Sequence, residues 1–127
     1  MSKLIALYHG SIRVDAFYFA PIINGRRVRN VILDTGAFEP TLNAKVASIL
    51  KLPNLGPIEI SAVGGTVQAY RSRCSIRMWK HIYRDVPCIV HPALQEQALF
   101  GLRFFIDHDL NLTLNPKAAT LAVRKSM

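Results

Sequence analysis

The sequence predicts a mostly β protein, a closed and mainly antiparallel fold of many short strands with one or two short helices. Three observations predict it. Apolar residues recur with a period of two along most of the chain. Turn dipeptides such as Asn24-Gly25 and Gly64-Gly65 separate the alternating runs. Only two segments, both short, suit a helix, and this mixture implies a β-rich barrel or sandwich.

The elements follow in order. Ile12 to Ile23 is rich in aromatic and β-branched residues and runs into Asn24-Gly25. That pair suits a type I′ hairpin turn, in which both central residues need positive φ. The return strand spans Arg27 to Leu33, and its apolar end, Val31-Ile32-Leu33, predicts burial on both faces. A short helix is predicted from about Asn43 to Lys51, with Asn43 as N-cap, Val46, Ala47 and Leu50 as the apolar face, and Pro53 beyond its end. Pro57 to Val63 alternates as a strand, Gly64-Gly65 turns, and Thr66 to Met78 returns. Tyr83 to Val90 is a further strand. Ala98 to Asp107 starts apolar, contains Gly101 and turns into a short helix. Leu110 to Leu114 and Thr120 to Val123 form a last hairpin around Asn115-Pro116-Lys117.

Composition sets the bounds. Half of the 127 residues are hydrophobic and 19% are charged, which excludes wholesale disorder. No repeat, low-complexity tract or linker divides the chain, so residues 1–127 read as one domain. The N-terminus lacks the long apolar stretch and cleavage site of a signal peptide. The longest apolar run elsewhere, Ala16 to Ile23, is too short for a membrane span and contains Pro21. A cytoplasmic protein without a membrane partner is expected, with Cys74 and Cys88 reduced. The net charge of +8 is scattered over solvated strands and turns, and no recognised nucleic-acid motif accompanies it. A basic nucleic-acid-binding β-barrel is an alternative that charge alone would favour. His9, His81, His91 and His108 show no metal-ligand spacing, so neither a metal nor a cofactor is expected.

The segment that carries chemistry is Val31-Ile32-Leu33-Asp34-Thr35-Gly36-Ala37. A polar Asp-Thr-Gly at the end of an apolar strand is a conflict between levels of the kind that gathers at functional sites. Alone, the tripeptide also suits an ordinary turn in which Asp caps and Gly takes positive φ. Its context adds weight: three apolar residues before it, Ala37 after it and a helix within ten residues.

This segment resembles the catalytic loop of retropepsin-like aspartic proteases, in their cellular or prokaryotic-like branch. Further features fall in that family's order. The tip Val63-Gly64-Gly65-Thr66 resembles the flap that closes over substrate. Ala98-Leu99-Phe100-Gly101 resembles the hydrophobic–hydrophobic–Gly element beside the catalytic loop, and Leu102 to Phe105 the helix after it. Leu110 to Leu114 and Leu121 to Val123 resemble the terminal strands. The resemblance implies an aspartic endopeptidase of closed barrel fold, acting as a homodimer on an extended polypeptide. It makes Asp34 the catalytic acid/base, Thr35 the residue positioning the loop across the dimer, and Ala37 a wall of the substrate groove. Where some viral members carry an acidic residue after Asp-Thr-Gly-Ala, this chain has Phe38 and then Glu39. The Arg expected directly after the hydrophobic–hydrophobic–Gly element is displaced to Arg103, which makes Glu39 and Arg103 a candidate pair.

The chemistry needs two carboxyls. Like charges a few ångströms apart cannot both ionise, so one carboxylate activates water while its protonated neighbour donates to the scissile carbonyl. The other aspartates, Asp15, Asp85, Asp107 and Asp109, are not followed by Thr/Ser-Gly, so the second carboxyl must come from another copy. A non-catalytic binding or dimerisation module of the same fold is the remaining alternative.

Overall fold

A computed structural model describes residues 2–62 and 64–126. Two sheets organise them. The smaller has the order β1 (Ser2–His9), β13 (Thr120–Ser126) and β12 (Leu110–Asn115), all antiparallel. The larger has ten strands: β2 (Ser11–Arg13), β3 (Ala16–Phe19), β4 (Ile22–Ile23), β5 (Arg26–Arg27), β6 (Val31–Leu33), β7 (Thr41–Asn43), β8 (Pro57–Ala62), β9 (Gly65–Met78), β10 (His81–His91) and β11 (Ala98–Phe100). Its order is β2-β3-β6-β11-β7-β10-β9-β4-β5, with β8 also paired to β9. Two helices complete the chain, α1 (Ala44–Ile49) and α2 (Arg103–Asp107).

The mostly β, mainly antiparallel expectation holds, with two parallel ladders, β7/β10 and β6/β11. The closed barrel does not: among the described residues the large sheet is a path with two ends, β2 and β5. Several boundaries also shift. The strand expected from Ile12 to Ile23 is three short strands. Val14 and Asp15 both take positive φ and turn the chain into a hairpin of their own. Arg27 to Leu33 is likewise broken, with Asn30 at positive φ. Here tertiary pairing overrides the run of β propensity. Of the three residues before Asp34, Val31 is fully buried and Ile32 and Leu33 are half-buried. The N-terminal segment, assigned no structure from sequence, is β1, held by ladder bonds to β13 from Ser2↔Ser126 to His9↔Thr120.

Other local readings match. Asn24 and Gly25 both have positive φ, and the Asn24 carboxamide oxygen accepts from Ser75 N at 2.8 Å, tying the turn to β9. Asn43 caps α1 through Lys45 N→Oδ1 at 2.7 Å. Leu42, Ile76, Val90, Phe100 and Phe104 fill the centre of the core. Phe100 packs against Phe19, Phe104 and Phe105 with ring centroids 5.8, 5.4 and 5.3 Å apart. Cys74 and Cys88 are free and buried on neighbouring strands. A hydrogen bond to Cys88 and then burial push the Cys74 thiol well above its usual range. Among the described residues no helix is long and apolar enough to cross a membrane.

Tyr8 is the core's polar flaw. Its ring meets Phe19 edge-on at 5.1 Å, and its hydroxyl is buried with no hydrogen-bond partner among the described residues. Burial pushes its pKa from 10.0 to about 12, against the opposing field of Arg27. Because the folded-state value is raised, the stability tied to the neutral phenol is complete below pH 10 and is lost as pH rises through 12. Chemical denaturation of the parent should therefore show about 2–3 kcal/mol of alkaline destabilisation across that window that is missing in Tyr8→Phe. At neutral pH, Tyr8→Phe should be at least as stable as the parent, since it removes an unpaired hydroxyl.

Candidate active site

Asp34 sits where β6 ends, and its position is set by backbone rather than by side chains. β6 and β11 pair in parallel, with Val31 opposite Ala98, Ile32 opposite Leu99 and Leu33 opposite Phe100. The ladder is continued by Asp34 N→Phe100 O at 3.1 Å. The chain then turns. Ala37 N donates to Asp34 O at 3.1 Å, and Gly36 N donates to Asp34 Oδ1 at 2.9 Å. One carboxylate oxygen is thus held by its own loop, while Oδ2 has no partner among the described residues. Asp34 is half-exposed, Thr35 and Gly36 are exposed, and Ala37 is half-buried.

The loop rests on the segment after β11. Leu102 N donates to Ala37 O at 3.4 Å and Arg103 N to Phe38 O at 2.8 Å. A Cβ on Gly101 would overlap the Phe38 carbonyl and stand 2.7 Å from Ala37 O. Glycine is therefore required by close approach of two backbones. Leu99, half-buried, and Phe100, fully buried, flank this contact from β11. Side chains add a clamp: Arg103 Nη1 donates to Glu39 Oε1 at 2.6 Å, and Arg103 Nε to Asp107 Oδ2 at 3.3 Å. The Arg103 guanidinium also lies 5.8 Å from the centroid of the Phe38 ring, which is otherwise exposed. Phe38 drew no role from sequence, although an exposed aromatic four residues after Asp34 was the available signal.

The Gly64-Gly65 hairpin is formed by β8 and β9, paired from Pro57↔Tyr70 to Ala62↔Gly65. Gly64 and Gly65 have φ of +92° and +138°, values that L side chains rarely adopt. Thr66 is exposed and pairs with Ser61. Val63 lies outside the described residues. Among the described residues no group of three or more His, Cys, Asp or Glu is arranged to hold a metal.

Backbone fit at Gly101 should matter more than the partly solvated ion pair. In urea denaturation, Gly101→Ala should cost about 1–3 kcal/mol and Glu39→Gln less than about 1 kcal/mol. The reverse ranking would make the Glu39–Arg103 clamp, not the glycine, what holds the loop.

Comparison with known proteins places this geometry. Residues 20–107 match the family described as "gag-polyprotein putative aspartyl protease". Among curated proteins no relative matches. Several solved structures share the fold. A retropepsin-like aspartic protease from Rickettsia conorii aligns with a TM-score of 0.67 at 17% identity, over 98% of this chain and 94% of that one. EIAV protease, complexed with the inhibitor HBY-793, gives 0.62 at 21% identity, over 82% and 99%. The retroviral protease-like domain of Ddi1 from Leishmania major gives 0.55 at 19%, over 78% and 82%. With the Asp34 loop and the strands that carry it inside the matched segment, the chain belongs to the gag-polyprotein aspartyl protease family and has a retropepsin-like fold.

Proposed function

We propose that the chain is an endopeptidase that cuts extended polypeptides with an Asp34/Asp34 dyad assembled between two copies. The observation that carries this reading is the Asp34 loop: its backbone is clamped between β6 and the Gly101 segment, and one carboxylate oxygen is left without a partner among the described residues. One chain holds a single Asp-Thr-Gly, so a two-fold axis beside Asp34 supplies the second carboxyl. The two groups share a proton. The ionised one takes a proton from water as it attacks, and the protonated one donates toward the carbonyl oxygen. Their titration belongs to the pair. Thr35 positions the loops against each other, Gly36 lets the substrate backbone approach, and Ala37 lines its path. The Gly64-Gly65 tip, with Val63 and Thr66 beside it, acts as the flap that excludes water once substrate is bound. Edge-strand pairing suits an extended substrate. Free, buried cysteines agree with a reducing compartment such as the cytoplasm.

Asp34→Asn tests the reading directly. The variant should fold and associate like the parent and lose at least about 100-fold in peptide cleavage, the lower range for removing a general acid/base. Cleavage at the parent rate would remove Asp34 from the chemistry. Association is tested by dilution: specific activity should fall as sedimentation shows dimers giving way to monomers. Activity per chain that stays constant across that transition would exclude a shared dyad.

A further inference from the structure

A cavity borders the clamp that holds the Asp34 loop. Its volume is about 340 Å3, and its lining includes Glu39, Arg71, Ser72, Arg73, Cys88 and Arg103. Arg71 and Arg73 stand two apart on β9, so they share a strand face, and both are exposed. Arg103 comes from α2 and Glu39 from the end of the Asp34 loop. Three arginines therefore line a cavity that holds one carboxylate, Glu39, which Arg103 engages at 2.6 Å while also reaching Asp107 at 3.3 Å. Arg73 gives one Nη1 hydrogen to the Asp85 carbonyl at 2.9 Å. The Arg71 guanidinium has no hydrogen-bond partner among the described residues. The cavity is thus lined by surplus positive charge and by donors in the forked geometry that suits an oxyanion.

We propose that this cavity takes an acidic side chain, Glu or Asp, of the extended polypeptide whose scissile bond lies at Asp34; this specificity rests on the endopeptidase reading. Glu39 is five residues beyond Asp34, and five extended residues reach at most about 17 Å. A substrate chain that runs from Asp34 toward Glu39 would bring a side chain within about five positions of the cut bond to the arginines. A carboxylate there would meet the guanidinium groups left over by Glu39. Free phosphate shares this oxyanion chemistry, and the two are separated by experiment.

The test uses the full chain carrying Asp34→Asn, so that binding is read without cleavage. An acetylated, amidated Glu-Ala repeat peptide, its Gln-Ala counterpart and inorganic phosphate are titrated by calorimetry. The Glu peptide should bind at least about tenfold tighter than the Gln peptide, as charge-assisted hydrogen bonds would give, and tighter than phosphate. Adding Arg71→Gln and Arg73→Gln should erase the preference. Adding Arg26→Gln and Arg29→Gln, which removes the same charge elsewhere, should leave it within about twofold. Should the first double variant not fold, Arg71→Gln alone carries the comparison. Equal binding of the two peptides, equal loss in both double variants, or phosphate binding as tight as the Glu peptide overturns the proposal. Cleavage by the parent chain is read separately. Cleavage without the Glu preference removes the cavity's role alone; the Glu preference with no cleavage of any peptide keeps the ligand and removes the endopeptidase reading.

Discussion

The Asp34 loop and the chain at Gly101 approach so closely that no side chain fits between them. Much of the site follows from that contact. It lets the β6/β11 ladder run on through Asp34 N and Phe100 O, and it brings Leu102 N and Arg103 N onto the carbonyls of Ala37 and Phe38. Each of these is a backbone bond, so the aspartate is aimed by main-chain geometry that little besides glycine at 101 would permit. The buried aromatic group around Phe100 then fixes β11 in the core, and rigid packing there is passed to the loop through three residues.

Around this centre the remaining parts differ in how their backbone is paired. The long β9/β10 ladder, interrupted by one bulge between Tyr83 and Val86, anchors the base of the Gly64-Gly65 hairpin. The tip itself is built from two glycines in conformations that carry no side-chain restraint. A paired base and a glycine tip agree with the proposed flap, which would admit an extended chain and then cover it. The same strand, β9, carries Arg71 and Arg73, so hairpin and charged cavity share one element.

Polar groups show a matching division. Those at the Asp34 loop are satisfied locally: Glu39 by Arg103, and Asp34 Oδ1 by Gly36 N. The core keeps few, and where one intrudes, as at Tyr8, desolvation is the dominant effect on it. The cysteines belong to the core as small apolar groups, on neighbouring strands and shielded from solvent.

What the sequence by itself determined is local: the Asn24-Gly25 turn, the Asn43 cap, the β8/β9 hairpin, the segment running from Ala98 into α2 and the Asp-Thr-Gly after an apolar strand. Each depends on a few neighbouring residues whose φ preferences or capping groups act without the rest of the chain. Tertiary structure decided the others. Ser2–His9 became a strand only because β13 offers it an edge, and the run from Ile12 to Ile23 broke because Val14-Asp15 could turn where no Gly marked a turn. The open order of the large sheet, the meeting of Gly101 with Ala37 and Phe38, and the convergence of Arg71, Arg73 and Arg103 join residues up to 67 positions apart, such as Val31 and Ala98. No local preference encodes such pairings, because their free energy comes from surfaces that exist only once the strands have packed.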